Sequence, residues 1–378
     1  MPVIALFIVT AAVITLANWH ERSLLAPTVS SVSPPSEALT IAIVTSPSDV
    51  DDGNFNQEVY DGILDFIADH PDWGLKKFRE IDITNSVPIV KTLFGEADVF
   101  VLPGFQFAAI YDVAVENADK KIILVDTSPV NSDGVESHAD NIYGMLFSEQ
   151  EAGFLAGIAA AIHTRSGKVA VVNGMAFPDN VNYQFGFESG VVFANKKLGA
   201  SANVVELELY AGMATDGVYV GGNYVGSFND PATAKKIANE LLSEGVDIIF
   251  AAAGNSGNGV FEAVKEHGSA FVIGVDVDQY DLGWNDGSNI VLTSAVKKIR
   301  REVTRQLCAI ADGSFKGGNY VLGADSDSTG YVNAEGRHQL SPAALAALEK
   351  VYGDIKSGKI IPASNFNGYS PEKFPGLE

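Results

Sequence analysis

Short runs that are apolar at every position alternate along this chain with stretches whose apolar residues recur every three or four places. "LTIAIVTS" (39–46) reads as a strand, and "FNQEVYDGILDFIADH" (55–70) reads as a helix carrying Val59, Ile63, Phe66 and Ile67 on one face. "ADVFVLPG" (97–104) predicts a second strand, "FAAIYDVAVENAD" a helix, and "KIILVDTS" (121–128) a third strand. Uninterrupted apolar runs suit parallel strands covered on both faces. A second set begins at Glu149, where "EQEAGFLAGIAAAI" predicts a small-residue helix whose Gly153 and Gly157 let a neighbouring helix come close. Strands follow at 168–175, 203–212, 246–254, 270–276 and 289–296, with helices near 185–197 and 231–244. The expected fold class is therefore α/β, with two lobes of similar plan, each a mostly parallel sheet flanked by helices.

The 378 residues suffice for two such lobes, and 47% hydrophobic with 19% charged residues excludes a largely disordered chain. The formal charge of −22 argues against nucleic-acid phosphate or an anionic membrane surface as partner. The single cysteine, Cys308, forms no internal disulfide and leaves no thiol cluster for zinc. Residues 3–17, "VIALFIVTAAVITLA", have the length of a signal-peptide core, with an uncleaved anchor as the alternative, and "TVSSVSPPS" (28–36) has the composition of a linker. The expected location is periplasmic or otherwise extracytoplasmic, with any membrane contact made through this segment or through a membrane partner.

Ligands of open parallel sheets bind beyond the carboxyl ends of the strands, so the residues following each apolar run are the informative ones. They are Asp52, Asn54 and Phe55 after the first run, Phe105 after the second and Asp126 after the third. In the second set they are Phe228, Gly254, Asn255, Asp276 and Lys297. Aromatic faces, carboxylates, amides and one lysine suit a flat, hydroxylated small molecule better than catalysis. Each also has a plainer reading: Asp52, Gly53 and Asn54 fit a turn and helix cap, Asp126 fits a cap, and the glycines of "GNSGNG" fit a turn. Acids at 49–54 and 276–281 lack the ligand spacing of an EF-hand, and no H-x-x-x-H, G-x-S-x-G or P-loop pattern occurs. Neither a metal, a cofactor nor an enzyme is the expectation.

"DDGNFNQEVYDGI", "EQEAGFLAGIAAA", "GSFNDPATAKKIANELLSEGVDIIFAAAGNSGNGVFEAVKE", "FVIGVDVDQ" and "VLTSAVKK" together resemble the basic-membrane-protein (BMP) family of ABC-transporter receptors, over roughly residues 39–335. The resemblance implies a type I periplasmic-binding-protein fold with three crossings between lobes, closing on a purine nucleoside for an ABC permease. It implies Phe55 and Phe228 stacking on the base, Asn54 and Asp126 at the base edge, and Asp276 and Lys297 on ribose hydroxyls. Backbone near Gly254 and Asn255 would close the sugar side, with Lys298 the rival of Lys297 and Asp52 ordering the turn. The expected division is 39–146 for the first lobe, completed by about 277–314, and 147–276 for the second, completed by about 315–378. A departure is the missing lipid-modified cysteine. Two other readings stay open: a sensor presenting its ligand to a membrane signalling partner, and a nucleoside hydrolase-like enzyme whose acids at 49–52 would hold calcium.

Overall fold

A computed structural model describes residues 38–378. The expected leader or anchor and the Ser/Pro linker lie outside the described residues. The rest contains two six-stranded sheets. In the first, the strand order is Gly318–Leu322, Ile142–Phe147, Lys121–Val125, Val99–Pro103, Thr40–Thr45 and Gly74–Arg79, all parallel. In the second, it is Thr329–Tyr331, Val291–Lys297, Phe271–Asp276, Ile248–Ala252, Lys168–Asn173 and Asn203–Val204, with only the Thr329–Tyr331 edge antiparallel. Ile41, Ile43, Val99, Val101, Ile123 and Val125 are fully buried from solvent, as parallel strands sandwiched between helix layers must be.

One face of the first sheet packs on helices Phe55–Asp69 and Ile299–Ala311 through Val59, Ile63, Phe66, Ile299, Val303 and Leu307. The second sheet carries helices Glu149–His163, Pro178–Lys197 and Pro342–Lys356 on one face, and Pro231–Ser243 with Gly257–His267 on the other. The small-residue helix is used as its composition predicts. A Cβ at Gly157 would stand 2.1 Å from the Phe187 carbonyl oxygen, and one at Gly190 would stand 2.2 Å from that of Phe154. Glycines on both helices thus bring two backbones into direct contact.

The chain passes between the lobes three times, at Ser148, at Lys298 and within 323–328. Two segments differ from the expected division. Val291–Lys297 falls within 277–314 yet pairs with Phe271–Asp276 in the second lobe, and Gly318–Leu322 falls within 315–378 yet pairs with Ile142–Phe147 in the first. The crossing lies after the strand: Val291–Lys297 is buried along its whole length and needs a neighbour on each side and two covered faces, which its place between Thr329–Tyr331 and Phe271–Asp276 supplies. The strand expected at 203–212 shrinks to Asn203–Val204. Beyond it, the Asn223 side chain replaces a ladder partner, donating to the carbonyls of Val171 (3.0 Å) and Val205 (3.1 Å) and accepting from Leu207 N–H (2.8 Å).

Candidate functional site

The carboxyl ends of the two sheets face each other across a cavity enclosing about 600 Å³, its mouth included. It is lined from the first lobe by Asp52, Phe55, Phe105 and Asp126, and from the second by Phe228, Gly254, Asn255, Asp276 and Lys297. Phe105 and Phe177 bridge the gap with ring centroids 5.1 Å apart, and Phe177 lies 5.8 Å from Phe228. Phe228 reaches this position because Gly174, just past strand Lys168–Asn173, has no side chain: a Cβ there would sit 2.3 Å from the Phe228 ring.

The same cavity holds a buried charge cluster. Lys297 Nζ contacts Asp126 from the first lobe, Asp276 Oδ1 at 3.1 Å and Glu149 Oε1 at 3.8 Å, with the lysine side chain 1% exposed. Tyr183 donates its hydroxyl to Asp276 Oδ1 at 2.9 Å. The cation also lies 5.3 Å from the Phe55 ring centroid. Asp126 and Asp276 have φ values of 61° and 63°, conformations uncommon for any residue but glycine. Such strain collects where structure is shaped for a ligand.

One lysine faces four carboxyl groups here, since Asp179 also feels its charge. Burial pushes Asp126 up to about 7, against the pull of Lys297, and raises Glu149 well above its ordinary range. Burial also raises Asp179. For Lys297, burial opposes the charge, but Asp126 and Asp276 outweigh it and hold the ammonium protonated. Asp126 Oδ1 and Asp179 Oδ1 are buried with no protein donor. Such oxygens are acceptors for the hydroxyl or N–H groups of a guest.

Nine of the ten sequence-derived positions line the cavity, and Asn54 does not. Its amide is committed between lobes, donating to the Gly254 carbonyl at 3.2 Å and accepting from Gln279. Asp52 lines the cavity, but its carboxylate accepts from the backbone N–H groups of Asn54 (2.9 Å), Asn56 (3.3 Å) and Gln57 (3.2 Å), so it orders the turn as a cap would. Burial holds Asp52 up at about 6. Asp126, expected at a base edge, contacts Lys297 through Oδ2 and leaves Oδ1 without a partner. Lys298 is exposed and does not line this cavity, whereas Lys297 does. In the acidic stretch 276–281, Arg337 takes Asp278 and Asp281 at 2.7 Å each. Among the described residues no group of His, Cys, Asp and Glu is arranged to hold a metal.

Sequence reasoning missed Phe177, Asp179, Tyr183 and Glu149. The signal was present in "GMAFPDN", which follows strand Lys168–Asn173 and stands at the same sheet edge as the rest. Glu149 opens a helix directly after a crossing and read only as its first turn.

A family model described as ABC transporter substrate-binding protein, PnrA-like (Bmp), matches residues 39–207 and 211–360. The chain belongs to this family. As a Bmp protein it is a substrate-binding component of an ABC transporter. It is 28% identical to the "ABC transporter nucleoside-binding protein BmpA" of Lactococcus lactis, over 86% of this chain and 89% of the relative. It is 29% identical to the "CD4+ T-cell-stimulating antigen" of Listeria monocytogenes (85% and 88% covered) and to "Basic membrane protein A2" of Borrelia garinii (86% and 87%). The charge of −22 runs opposite to the older name. Among solved structures, a solute-binding protein of an ABC transporter system from Aeropyrum pernix matches with TM-score 0.73 at 22% identity, covering 87% of this chain and 94% of that one. Another, from Conexibacter woesei, matches with TM-score 0.63 at 20% identity (86% and 99%). These likenesses agree with the two-lobed type I binding-protein fold.

Proposed function

We propose that this Bmp protein is the extracytoplasmic receptor of an ABC importer and that it carries a purine nucleoside in the interlobe cavity. The observation that supports this most directly is the division of that cavity into an aromatic wall and a buried lysine–carboxylate cluster. Phe55 and Phe228 would take the faces of the base, joined by Phe105 and Phe177. Stacked rings contribute about 0.5–1.5 kcal/mol each beyond the area they bury. Asp276 and Lys297 would hold ribose hydroxyls, joined by Asp126 and Asp179, whose free oxygens call for donors. Asn255 and the backbone at Gly254 would close the sugar side. Charge-assisted bonds of this type contribute about 1.5–3 kcal/mol each. Contacts made to both lobes at once favour the closed form, which a permease can recognise.

Titration calorimetry with adenosine, guanosine and inosine, set against free adenine and ribose, tests the reading. Saturable one-to-one binding of a nucleoside, with weak or no binding of its separate halves, is expected. Heat from none of the nucleosides would overturn it. Release of free base from inosine would instead support the hydrolase alternative.

A further inference from the structure

We propose that Asn54 and Gln279 form a latch between the lobes, outside the ligand cavity, that sets affinity by the same factor for every ligand. Both residues are buried, at 1% and 3% exposure, and neither lines the cavity. The orientation of both amides is forced from a backbone N–H. Val275 N–H donates to Gln279 Oε1 at 2.9 Å, so Gln279 Nε2 turns towards the first lobe and donates to Asn54 Oδ1. Asn54 Nδ2 is thereby left to donate to the Gly254 carbonyl at 3.2 Å and to its own lobe's Asp52 carbonyl at 3.1 Å. Gly254 and Gln279 lie in the second lobe and Asn54 in the first, so one asparagine holds two points across the gap.

Each partner is fixed before the lobes meet. Within its own lobe the Asn54 amide donates to the Asp52 carbonyl at 3.1 Å, and the Gln279 amide accepts from Val275 N–H at 2.9 Å. Little side-chain freedom remains to be lost on closure. The Lys297–Asp126 contact also spans the lobes, but it lies in the cavity wall, where ligand atoms compete for it. The Asn54–Gln279 bond has no such competitor, since neither residue lines the cavity. It changes the fraction of protein in the closed form, and apparent affinity scales with that fraction whatever the ligand. The inference rests on the cavity being the ligand site, and not on the ligand being a nucleoside.

The test combines binding with lobe separation in the free protein. For Gln279→Ala, calorimetry with adenosine, guanosine and inosine should show affinity falling about three- to tenfold by one common factor. Asn54→Asp keeps the acceptor for Gln279 and removes the donor to Gly254, and should act in the same direction. Spin labels at Ile81→Cys and Leu209→Cys, in a Cys308→Ser background, should report a wider mean separation in both variants. A loss that differs between the three nucleosides would overturn the latch and return Asn54 to ligand contact. So would an unchanged label separation, or a lowered melting temperature with no change in separation. If no nucleoside binds the parent protein, the nucleoside reading fails, and the label distances still decide the latch.

Discussion

Lys297 and Asp276 stand at the ends of adjacent strands of the second sheet and meet at 3.1 Å where their side chains are 1% and 9% exposed. Asp126 approaches the same ammonium from the other lobe. Removing the cation leaves several buried carboxyl groups facing one another. Lys297→Met should therefore cost about 3–5 kcal/mol in urea unfolding and abolish ligand binding. Unfolding at the parent's urea midpoint would show that the acids simply take up protons in its absence.

Asp276→Ala leaves Lys297 with Asp126 as partner, so the chain should fold with a modestly lowered melting temperature and lose nucleoside binding. Unchanged affinity by calorimetry would remove Asp276 from hydroxyl recognition.

The space for the Phe228 ring depends on Gly174. Phe228→Ala should weaken nucleoside binding about tenfold through lost stacking. Gly174→Ala, which displaces the ring without deleting it, should weaken binding in the same direction. A variant that binds as tightly as the parent would assign Phe228 to packing alone.

Gly157→Ala places a methyl group 2.1 Å from a carbonyl oxygen that belongs to the opposing backbone and cannot rotate away. Overpacking of this kind costs about 1–3 kcal/mol, read as a lower denaturation midpoint with an unchanged m-value. Ligand affinity of the folded fraction should stay at the parent value, because this contact lies in the second lobe's core.

Glu188 on helix Pro178–Lys197 accepts from Gln184 at 2.8 Å, and burial pushes its carboxyl up to about 8 from the usual 4.5. The folded state therefore holds this proton more tightly than the unfolded state. Its contribution to stability is complete below about pH 4.5 and is lost as pH rises through about 8. Glu188→Gln should flatten the decline in melting temperature across that window. Parallel parent and variant profiles would count against it.

Most buried strands were legible because continuous apolar runs have few other places to go; Ile142–Phe147 is buried too but was not read as a strand, since Gly144 interrupts its short apolar run. Gly74–Arg79 was not, because "GLKKFR" is an edge strand with exposed positions and charges, and such a segment lacks the uniform apolar pattern. Val291–Lys297 was recognised as a strand but placed on the wrong side of the crossing, since sequence order does not reveal where a chain changes lobes. The site was readable where a chemically distinctive residue followed an apolar run, as at Asp126 and Asp276. Asn54 shows the limit of that reasoning. Its position at the sheet edge is the same for a ligand contact and for a bond to Gln279, and only the distance between the lobes separates the two.

The triple passage between lobes also constrains how the molecule is made. Ile299, Val303, Leu307 and Leu322 belong to the same apolar cluster as Ile41 and Ile43. At about 10 residues per second, a ribosome needs roughly half a minute to deliver Leu322, and until then the amino-terminal half has no partner for its exposed face. Neither half is a contiguous piece of the gene, so truncation before that point yields a nascent chain that is unfinished in both, and the two mature together.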